Sequence, residues 1–194
     1  MLDARGLYLS FEGQRVLNGL SLSVHAGERL ALIGPSGCGK TSLLRVLAGL
    51  LRADAGSVDN RFASTTIMFQ EARLVPWLTA EENVRLVIPG RAEHAREAAR
   101  AALARVGIAD AAEKTPEELS GGMRQLVSLA RTLAFGGELL LLDEPFKALD
   151  PAAKARAVRA VSDSGCGALI LVTHDMREAE ALACRAVDFS TLNR

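Results

Sequence analysis

The chain has 194 residues, 49% of them apolar, and its 23 basic residues balance 23 acidic ones. This length predicts one large domain or a domain with a subdomain, and the balanced charge argues against a nucleic-acid partner, which needs a basic surface. The N-terminal MLDARG lacks the segments of a signal peptide, and no apolar run approaches the length of a membrane span. The three cysteines are widely spaced, which favours neither a disulfide framework nor a metal site, so we expect a reducing compartment.

The first elements predicted along the chain are two strands and a helix. LSLSV (20–24) alternates apolar and polar residues, as a half-buried strand does. RLALIG (29–34) is nearly all apolar, which is typical of a strand covered on both faces. Leu43, Leu44 and Leu47 then recur at helical spacing, with Gly49 as a plausible stop.

The second half of the chain alternates predicted helices and strands. Residues 93–106 are rich in alanine, glutamate and arginine and predict a helix. A further helix is expected to end at Gly136-Gly137, and Asp150-Pro151 should cap and begin another. Two more buried strands are predicted, ELLLLDEP and ALILVTHD. The helix that ends at Gly136-Gly137 should have one face formed by Met123, Val127, Ala130 and Ala134.

A glycine-rich loop separates the second predicted strand from the first helix. GPSGCGKT (34–41) fits the spacing G-x-x-x-x-G-K-[ST], whose backbone N–H groups cradle phosphate at the positive end of a helix. Lys40 should reach the β- and γ-phosphates, and the Thr41 hydroxyl should hold Mg²⁺. The strand before and the helix after argue against a glycine turn that matches by chance. The residues predicted to bind nucleotide here are Gly34, Pro35, Ser36, Gly37, Cys38, Gly39, Lys40, Thr41 and Ser42.

Two other segments carry chemistry that is ambiguous in isolation. LLLLDEP places Asp143 and Glu144 at a strand end, where one carboxylate can serve Mg²⁺ and the other a water; alone, it is equally typical of a strand ending in a charged turn. LSGGMRQ (119–125) opens a helix with a serine and two glycines, a second anion-ready helix terminus; alone, an ordinary N-cap is the simpler interpretation. Beside the glycine loop, the first segment predicts a Mg–nucleotide site.

Taken together, these segments resemble the ATP-binding subunit of ABC transporters. The match runs over nearly the whole chain, with Walker A at 34–41, Walker B at 139–143 and the signature at 119–125. The resemblance implies an α/β P-loop NTPase fold with a parallel-sheet core, a small antiparallel β subdomain and an inserted helical subdomain. The expected division is 1–70 and 137–194 for the core and 71–136 for the helical part.

The resemblance also implies individual roles. Catalytic roles fall to Glu144, to His174 in VTHD and to Gln70 in MFQE, while Mg²⁺ would be held by Thr41, Gln70 and Asp143. The remaining residues implied to contact ATP are Phe11 as an adenine-stacking aromatic, Ser120, Gly121, Gly122 and Gln125 of the signature, and Asp150 of the D-loop.

A finer resemblance points to a group of importers. FQEARLVPWLTAEENV and LLDEPFKALD are similar to ATPases of nitrate, sulfonate and taurine importers. This implies a second copy of the chain as partner, a membrane permease that docks near Trp77, and a location at the cytoplasmic face of the membrane. A core position for Trp77 is equally open.

Departures from the family pattern and rival functions complete these expectations. The stretch from Lys40 to Gln70 is short, so we expect a trimmed antiparallel sheet. The sequence runs about twenty residues beyond His174, so we expect no regulatory C-terminal domain. Two rival functions are a soluble ABC ATPase of DNA repair or translation and a non-catalytic nucleotide-binding module. The first usually carries long inserts, and intact Lys40, Asp143, Glu144 and His174 speak against the second. The solute itself is not encoded here.

Overall fold

A computed structural model describes residues 1–193 and contains eight strands and seven helices within that range. The strands are, in chain order, β1 Leu2–Phe11, β2 Gln14–Val24, β3 Arg29–Ile33, β4 Ala55–Asn60, β5 Thr65–Met68, β6 Leu139–Asp143, β7 Ala168–Thr173 and β8 Arg185–Asp188. The helices are α1 Lys40–Leu47, α2 Ala80–Arg85, α3 Ala92–Arg105, α4 Gly121–Phe135, α5 Pro151–Ser162, α6 Met176–Ala181 and α7 Phe189–Leu192.

The chain divides into two compact units. The first comprises 1–67, 137–144 and the chain from 166 onward; the second comprises 68–136 and 145–165. The segment 145–165 thus groups with the helical insert rather than with the sheets. The expected division at 70 and 137 remains a prediction, although the first boundary of the insert lies close to it.

The first unit contains two sheets. An antiparallel sheet has the strand order β2-β1-β4, and its β1–β2 hairpin runs from the Leu2–Val24 pair to the Phe11–Gln14 pair. Alternate leucines of this hairpin are buried, which confirms the half-buried strand expected at LSLSV. The sheet is therefore a three-stranded layer with one face in the core.

The second sheet has the order β5-β6-β7-β3-β8. Strand β7 pairs in parallel with β6 and with β3, and β3 pairs in parallel with β8. All five residues of β6 and all six of β7 are buried, as expected for parallel strands covered on both faces. This confirms the strands predicted from RLALIG, ELLLLDEP and ALILVTHD.

The second unit is helical. Helix α3 covers the predicted 93–106 segment to within a residue, and α4 ends at Gly136 as expected. The buried Glu81 carboxylate of α2 accepts from the guanidinium groups of Arg100 at 2.6 Å and Arg96 at 3.1 Å, both on α3. Although burial acts to raise it, these hydrogen bonds and charges hold the pKa of Glu81 below its ordinary value. The ion network ties α2 to α3.

Across residues 1–193, none of the helices combines the length and the apolar composition needed to cross a lipid bilayer.

Candidate functional site

Three adjacent strands of the parallel sheet end at one edge and carry the predicted catalytic groups there. The register pairs Ile33 of β3 with Thr173 of β7, and Asp143 of β6 with Val172. The chain therefore leaves these strands at neighbouring points, into the glycine loop, Glu144 and His174. The carboxyl edge of an open parallel sheet is where such folds bind ligands, and parallel pairing explains why segments far apart in sequence meet.

The glycine loop depends on backbone conformations and close contacts that only glycine allows. Gly37 and Gly39 have φ angles of 81° and 106°, a region unfavourable for residues with a Cβ. A Cβ on Gly39 would lie 2.8 Å from Val16 Cγ1 and 3.0 Å from Val16 O. Helix α1 follows with no side chain capping its N-terminus, so its first-turn amides are available to an anion.

Lys40 lies under the loop and is only 6% exposed. Its Nζ donates to Gly34 O at 2.8 Å and to Pro35 O at 2.7 Å, and lies 3.6 Å from Cys38 Sγ. The ammonium group is therefore fixed within the curve of the loop by main-chain acceptors. This places a positive charge beside the glycine loop, as phosphate binding requires.

Asp143 is the last residue of β6 and is almost fully buried. Burial and, less strongly, the Glu144 carboxylate raise the pKa of Asp143 above its ordinary value of 3.8, outweighing the Thr41 hydrogen bond and the charges of Arg45 and Lys40. Its Oδ1 is buried with no hydrogen-bond partner among residues 1–193. A buried carboxylate oxygen without a partner, next to the Thr41 hydroxyl, fits a hard cation such as Mg²⁺, which prefers oxygen ligands.

Glu144 and His174 form a direct pair. Glu144 has a φ of 49°, unusual for a residue other than glycine, and its N–H donates to Val172 O at 2.9 Å. His174 Nδ1 lies 2.9 Å from Glu144 Oε2 and 3.1 Å from Oε1. An ionised carboxylate only accepts, so the hydrogen bond requires Nδ1–H of His174 as the donor. The His174 side chain is 65% exposed and that of Glu144 12%, so the pair lies at the surface of the edge.

Two predicted nucleotide contacts occupy exposed strand ends. Phe11 is the last residue of β1 and is 46% exposed, so it does not fill the core. Its hairpin contacts the glycine loop through Val16 and Gly39. Gln70 is also exposed, in a bend just after β5, and belongs to the second unit.

The signature lies at the start of α4 in the second unit. Ser120 is the N-cap, and its hydroxyl accepts from Met123 N at 3.2 Å. Gly121 follows as the first helical residue and is exposed. The positive end of the helix is thus exposed at Ser120 and Gly121, as the predicted second phosphate contact requires.

The D-loop packs on the signature within the same unit. A Cβ on Gly122 would lie 3.0 Å from Ala148 O, and Ala148 has a φ of 63°. Asp150 caps α5 by accepting from Ala153 N at 2.9 Å, as predicted. A cleft of about 340 Å³ is lined by residues of both segments, including Ser120 and Asp150. The two motifs therefore form one surface.

Gln125 differs from its signature neighbours because it is only 6% exposed, in the buried face of α4. Burial favours a structural role over direct contact with a nucleotide. Sequence reasoning also missed Val16 and Phe189, which pack at Gly39 and Gly34 respectively. Nothing local in the sequence marks them, because their role arises from a contact between distant segments.

A glycine loop that holds a lysine and opens a helix, beside two carboxylates at a parallel-sheet edge, defines a P-loop nucleotide hydrolase. The family described as "ABC transporter" matches residues 17–147, about two thirds of the chain. The chain therefore belongs to the ABC transporter family and is an ABC-type ATPase. The predicted family and fold are thereby confirmed.

Similar curated proteins carry a more specific name. The chain is 42% identical to an aliphatic sulfonates import ATP-binding protein of Agrobacterium fabrum, over 96% of this chain and 74% of that protein. It is 47% identical to another of Streptomyces avermitilis, over 94% and 70% respectively. A third, from Cupriavidus necator, is 44% identical over 96% of this chain and 65% of its own length. The predicted resemblance to the nitrate, sulfonate and taurine group is confirmed.

Solved structures agree with the fold. An ATP-binding cassette determined as a dimer in a post-hydrolysis state, bound to ADP and Pi, superposes with a TM-score of 0.86 at 25% identity, over 93% of this chain and 91% of that chain. A bacterial ABC transporter cassette, also dimeric, gives 0.84 at 27% identity over the same shares.

Proposed function

We propose that this chain is the ATP-hydrolysing subunit of an importer for aliphatic sulfonates or similar small anions, working as two copies bound to a membrane permease at the cytoplasmic face. The observation that carries the hydrolytic part is the cluster of Lys40, Asp143, Glu144 and His174 at one sheet edge. The solute class rests on the names of the curated relatives.

Nucleotide binding falls to the first unit. The loop amides and Lys40 bind the phosphates, and Phe11 stacks on adenine from the adjoining hairpin. Thr41 and Asp143 would hold Mg²⁺, which when bound neutralises charge on the β- and γ-phosphates; the Mg²⁺ role of Gln70 stays a prediction from the sequence. The partnerless Oδ1 of Asp143 supports this assignment.

Hydrolysis falls to the Glu144–His174 pair. Glu144 accepts a hydrogen bond from the attacking water and takes up its proton as the water oxygen bonds to the γ-phosphorus. The bond from this phosphorus to the bridging oxygen breaks, and ADP leaves. The Nδ1 donor of His174 holds the carboxylate in place through the 2.9 Å contact. The His174 ring would also contact the γ-phosphate. Asp143 and Glu144 leave the same strand end in different directions, which lets them divide metal and water.

Two copies complete the site. Ser120, Gly121 and Gly122 of one copy would close on the γ-phosphate held by the other, with Asp150 at the same surface. The dimeric cassettes of the solved structures support this arrangement. The outward-facing N-terminus of α4 is the contribution of this chain.

The permease would dock at the segment that carries Trp77. The Trp77 side chain is 78% exposed, which contradicts a core position, and Leu86 nearby in sequence is 59% exposed. Asn83, fully buried, fixes the segment: its Oδ1 accepts from Val75 N at 2.8 Å and its Nδ2 donates to Leu78 O and Thr79 O. An exposed tryptophan on a braced turn is typical of an interface anchor.

The test is an ATP-dependent dimer of a slow variant. Glu144→Gln keeps size and removes the charge, so hydrolysis should fall about 10²–10⁴-fold while binding survives. Light scattering with MgATP should then show a dimer that is absent with ADP. A matched Glu144→Gln/Ser120→Arg variant should remain monomeric. Monomers with ATP, both alone and with the permease present, would contradict the two-copy site.

A soluble ABC ATPase of DNA repair or translation is the alternative. Copurification separates the two functions: an importer subunit should be retained by its permease, and Trp77→Ala should abolish retention without changing the chain's own ATP hydrolysis. Retention by nucleic acid or ribosomes instead would favour the alternative.

A further inference from the structure

Arg131 of α4 donates hydrogen bonds to the main chain of the segment that follows Gln70. Its Nη2 donates to Ala72 O at 2.9 Å and its Nη1 to Arg73 O at 3.1 Å. One planar guanidinium thus holds two successive main-chain carbonyls, a geometry that restricts both the position and the orientation of the segment. All four residues belong to the second unit.

The segment that Arg131 holds, residues 69–73, contains a residue with a strained backbone. Arg73 has a φ of 46°, and its guanidinium lies over the Phe69 ring, 3.9 Å from the centroid. The stacking joins the two ends of the segment, with Gln70 exposed between Phe69 and Arg73. A left-handed residue other than glycine persists only where its surroundings hold it. Here the backbone of Arg73 is held by the stacking on Phe69 and by the hydrogen bonds from Arg131.

Arg131 costs more folding stability at this position than a side chain that only packed there would. It is half-buried between the buried Ala130 and Thr132, and burial lowers the pKa of its guanidinium. Within residues 1–193 its hydrogen bonds go to these two carbonyls, and no carboxylate pairs with it. Partial desolvation of a charge that lacks an acidic partner costs stability that an apolar side chain would not.

We propose that Arg131 is a positioning residue that fixes Gln70 relative to the signature helix. Helix α4 follows its N-cap Ser120 and carries Arg131 near its other end, so one helix connects the signature to the Gln70 segment. This inference rests on the proposed function, with Gln70 in its predicted role toward Mg²⁺. Nothing in the sequence distinguishes Arg131 from other arginines on a helix.

A double-mutant cycle tests this. Arg131→Met keeps the length and removes the donors, Arg131→Lys keeps one charged donor, and Gln70→Ala removes the positioned group. Arg105→Met is the matched control, because Arg105 Nη2 also grips a main-chain carbonyl in this unit, Ala160 O at 3.1 Å. MgATP hydrolysis by the purified full chain gives kcat and KM, and hydrogen exchange reports on the peptide containing residues 69–73.

We expect Arg131→Met to lower kcat between about tenfold and 10²-fold, the size of effect produced by misplacing a group by about 1 Å, with KM changed less than about twofold. Arg131→Lys should recover part of the loss, and exchange in 69–73 should rise in the Met variant and less in the Lys variant. In the Gln70→Ala background, Arg131→Met should lower kcat no further. Arg105→Met should leave kcat and this exchange unchanged.

Independent, multiplicative losses from Arg131→Met and Gln70→Ala would overturn the inference and leave the role of Gln70 intact. Wild-type kcat in Gln70→Ala would overturn that role in the proposed function itself, and the inference with it. If the Met variant does not fold, the cycle is repeated with Arg131→Lys in its place. Losses of kcat from Arg131→Lys and Gln70→Ala that multiply independently would overturn the inference in the same way.

Discussion

Replacing Asp143 by asparagine should make the nucleotide-free chain more stable while removing its response to Mg²⁺. Asp143 is 2% exposed, and its Oδ1 has no hydrogen-bond partner among the described residues. In the proposed function, the carboxylate is held out of water to bind a cation rather than to stabilise the fold. Asparagine preserves the shape and an oxygen for Thr41 but carries no charge.

The size of the effect follows from two opposing contributions. An unsatisfied buried polar group costs about 1–3 kcal/mol, and more if charged, so neutralising it should gain about 1–2 kcal/mol. Loss of the favourable charges of Lys40 and Arg45 acts in the opposite direction, but the raised pKa of Asp143 indicates that burial outweighs them. At about 2–4 °C per kcal/mol for a chain of this size, Tm should rise by about 2–8 °C.

The pH dependence has a definite sign. Between its ordinary pKa of 3.8 and the raised value, the folded chain binds the Asp143 proton more tightly than the unfolded chain. The contribution of this group to stability therefore falls as pH rises through that window and is constant above it. The advantage of Asp143→Asn should be small near pH 4 and reach its full size once the pH exceeds the raised pKa.

Thermal unfolding followed by circular dichroism, in EDTA and then in MgATP, measures both effects. Wild type should gain about 2.7 kcal/mol at a ligand concentration of 100 times Kd, whereas Asp143→Asn should lose the Mg²⁺-dependent part. Asp188→Asn at the end of β8 is the control: hydrogen bonds from Ser190 lower the pKa of Asp188, so its removal should lower Tm. An Asp143→Asn chain that is less stable than wild type in EDTA would refute the reasoning.

Three further changes have defined outcomes. Lys40→Ala should abolish hydrolysis and weaken nucleotide binding, because it removes charge-assisted bonds of about 1.5–3 kcal/mol each; near-normal turnover would overturn the Walker A assignment. Phe11→Ala should weaken ATP binding by about 1–3 kcal/mol in a titration with little change in Tm, and unchanged ATP affinity would contradict the stacking on adenine. Gly39→Ala should lower Tm and ATP affinity, because its Cβ would meet Val16. Gly49→Ala, at φ 71° with no neighbouring atoms within 4 Å, is the control for backbone strain alone. Equal losses of ATP affinity in the two variants would contradict a role for the contact between residue 39 and Val16.

The local chemistry of this protein could be predicted from its sequence. The loop 34–41 has a fixed spacing between glycines and lysine, and the runs 139–143 and 168–173 are apolar enough to be buried on both faces. Such signals lie within a few residues of one another, so they survive without knowledge of the fold. The caps at Ser120 and Asp150 could be predicted for the same reason.

The tertiary structure decided what depends on contacts between distant segments. Trp77 fits a core or a surface equally well by composition, and its exposure follows from the turn that Asn83 braces. Gln125 lies within a recognised motif, yet the packing of α4 buries it. Arg131 has no local signal, because its two acceptors lie 58 and 59 positions away along the chain. A sequence pattern reports the preferences of neighbours in the chain, whereas burial and the partners of a buried charge are set by segments that meet only in the folded state.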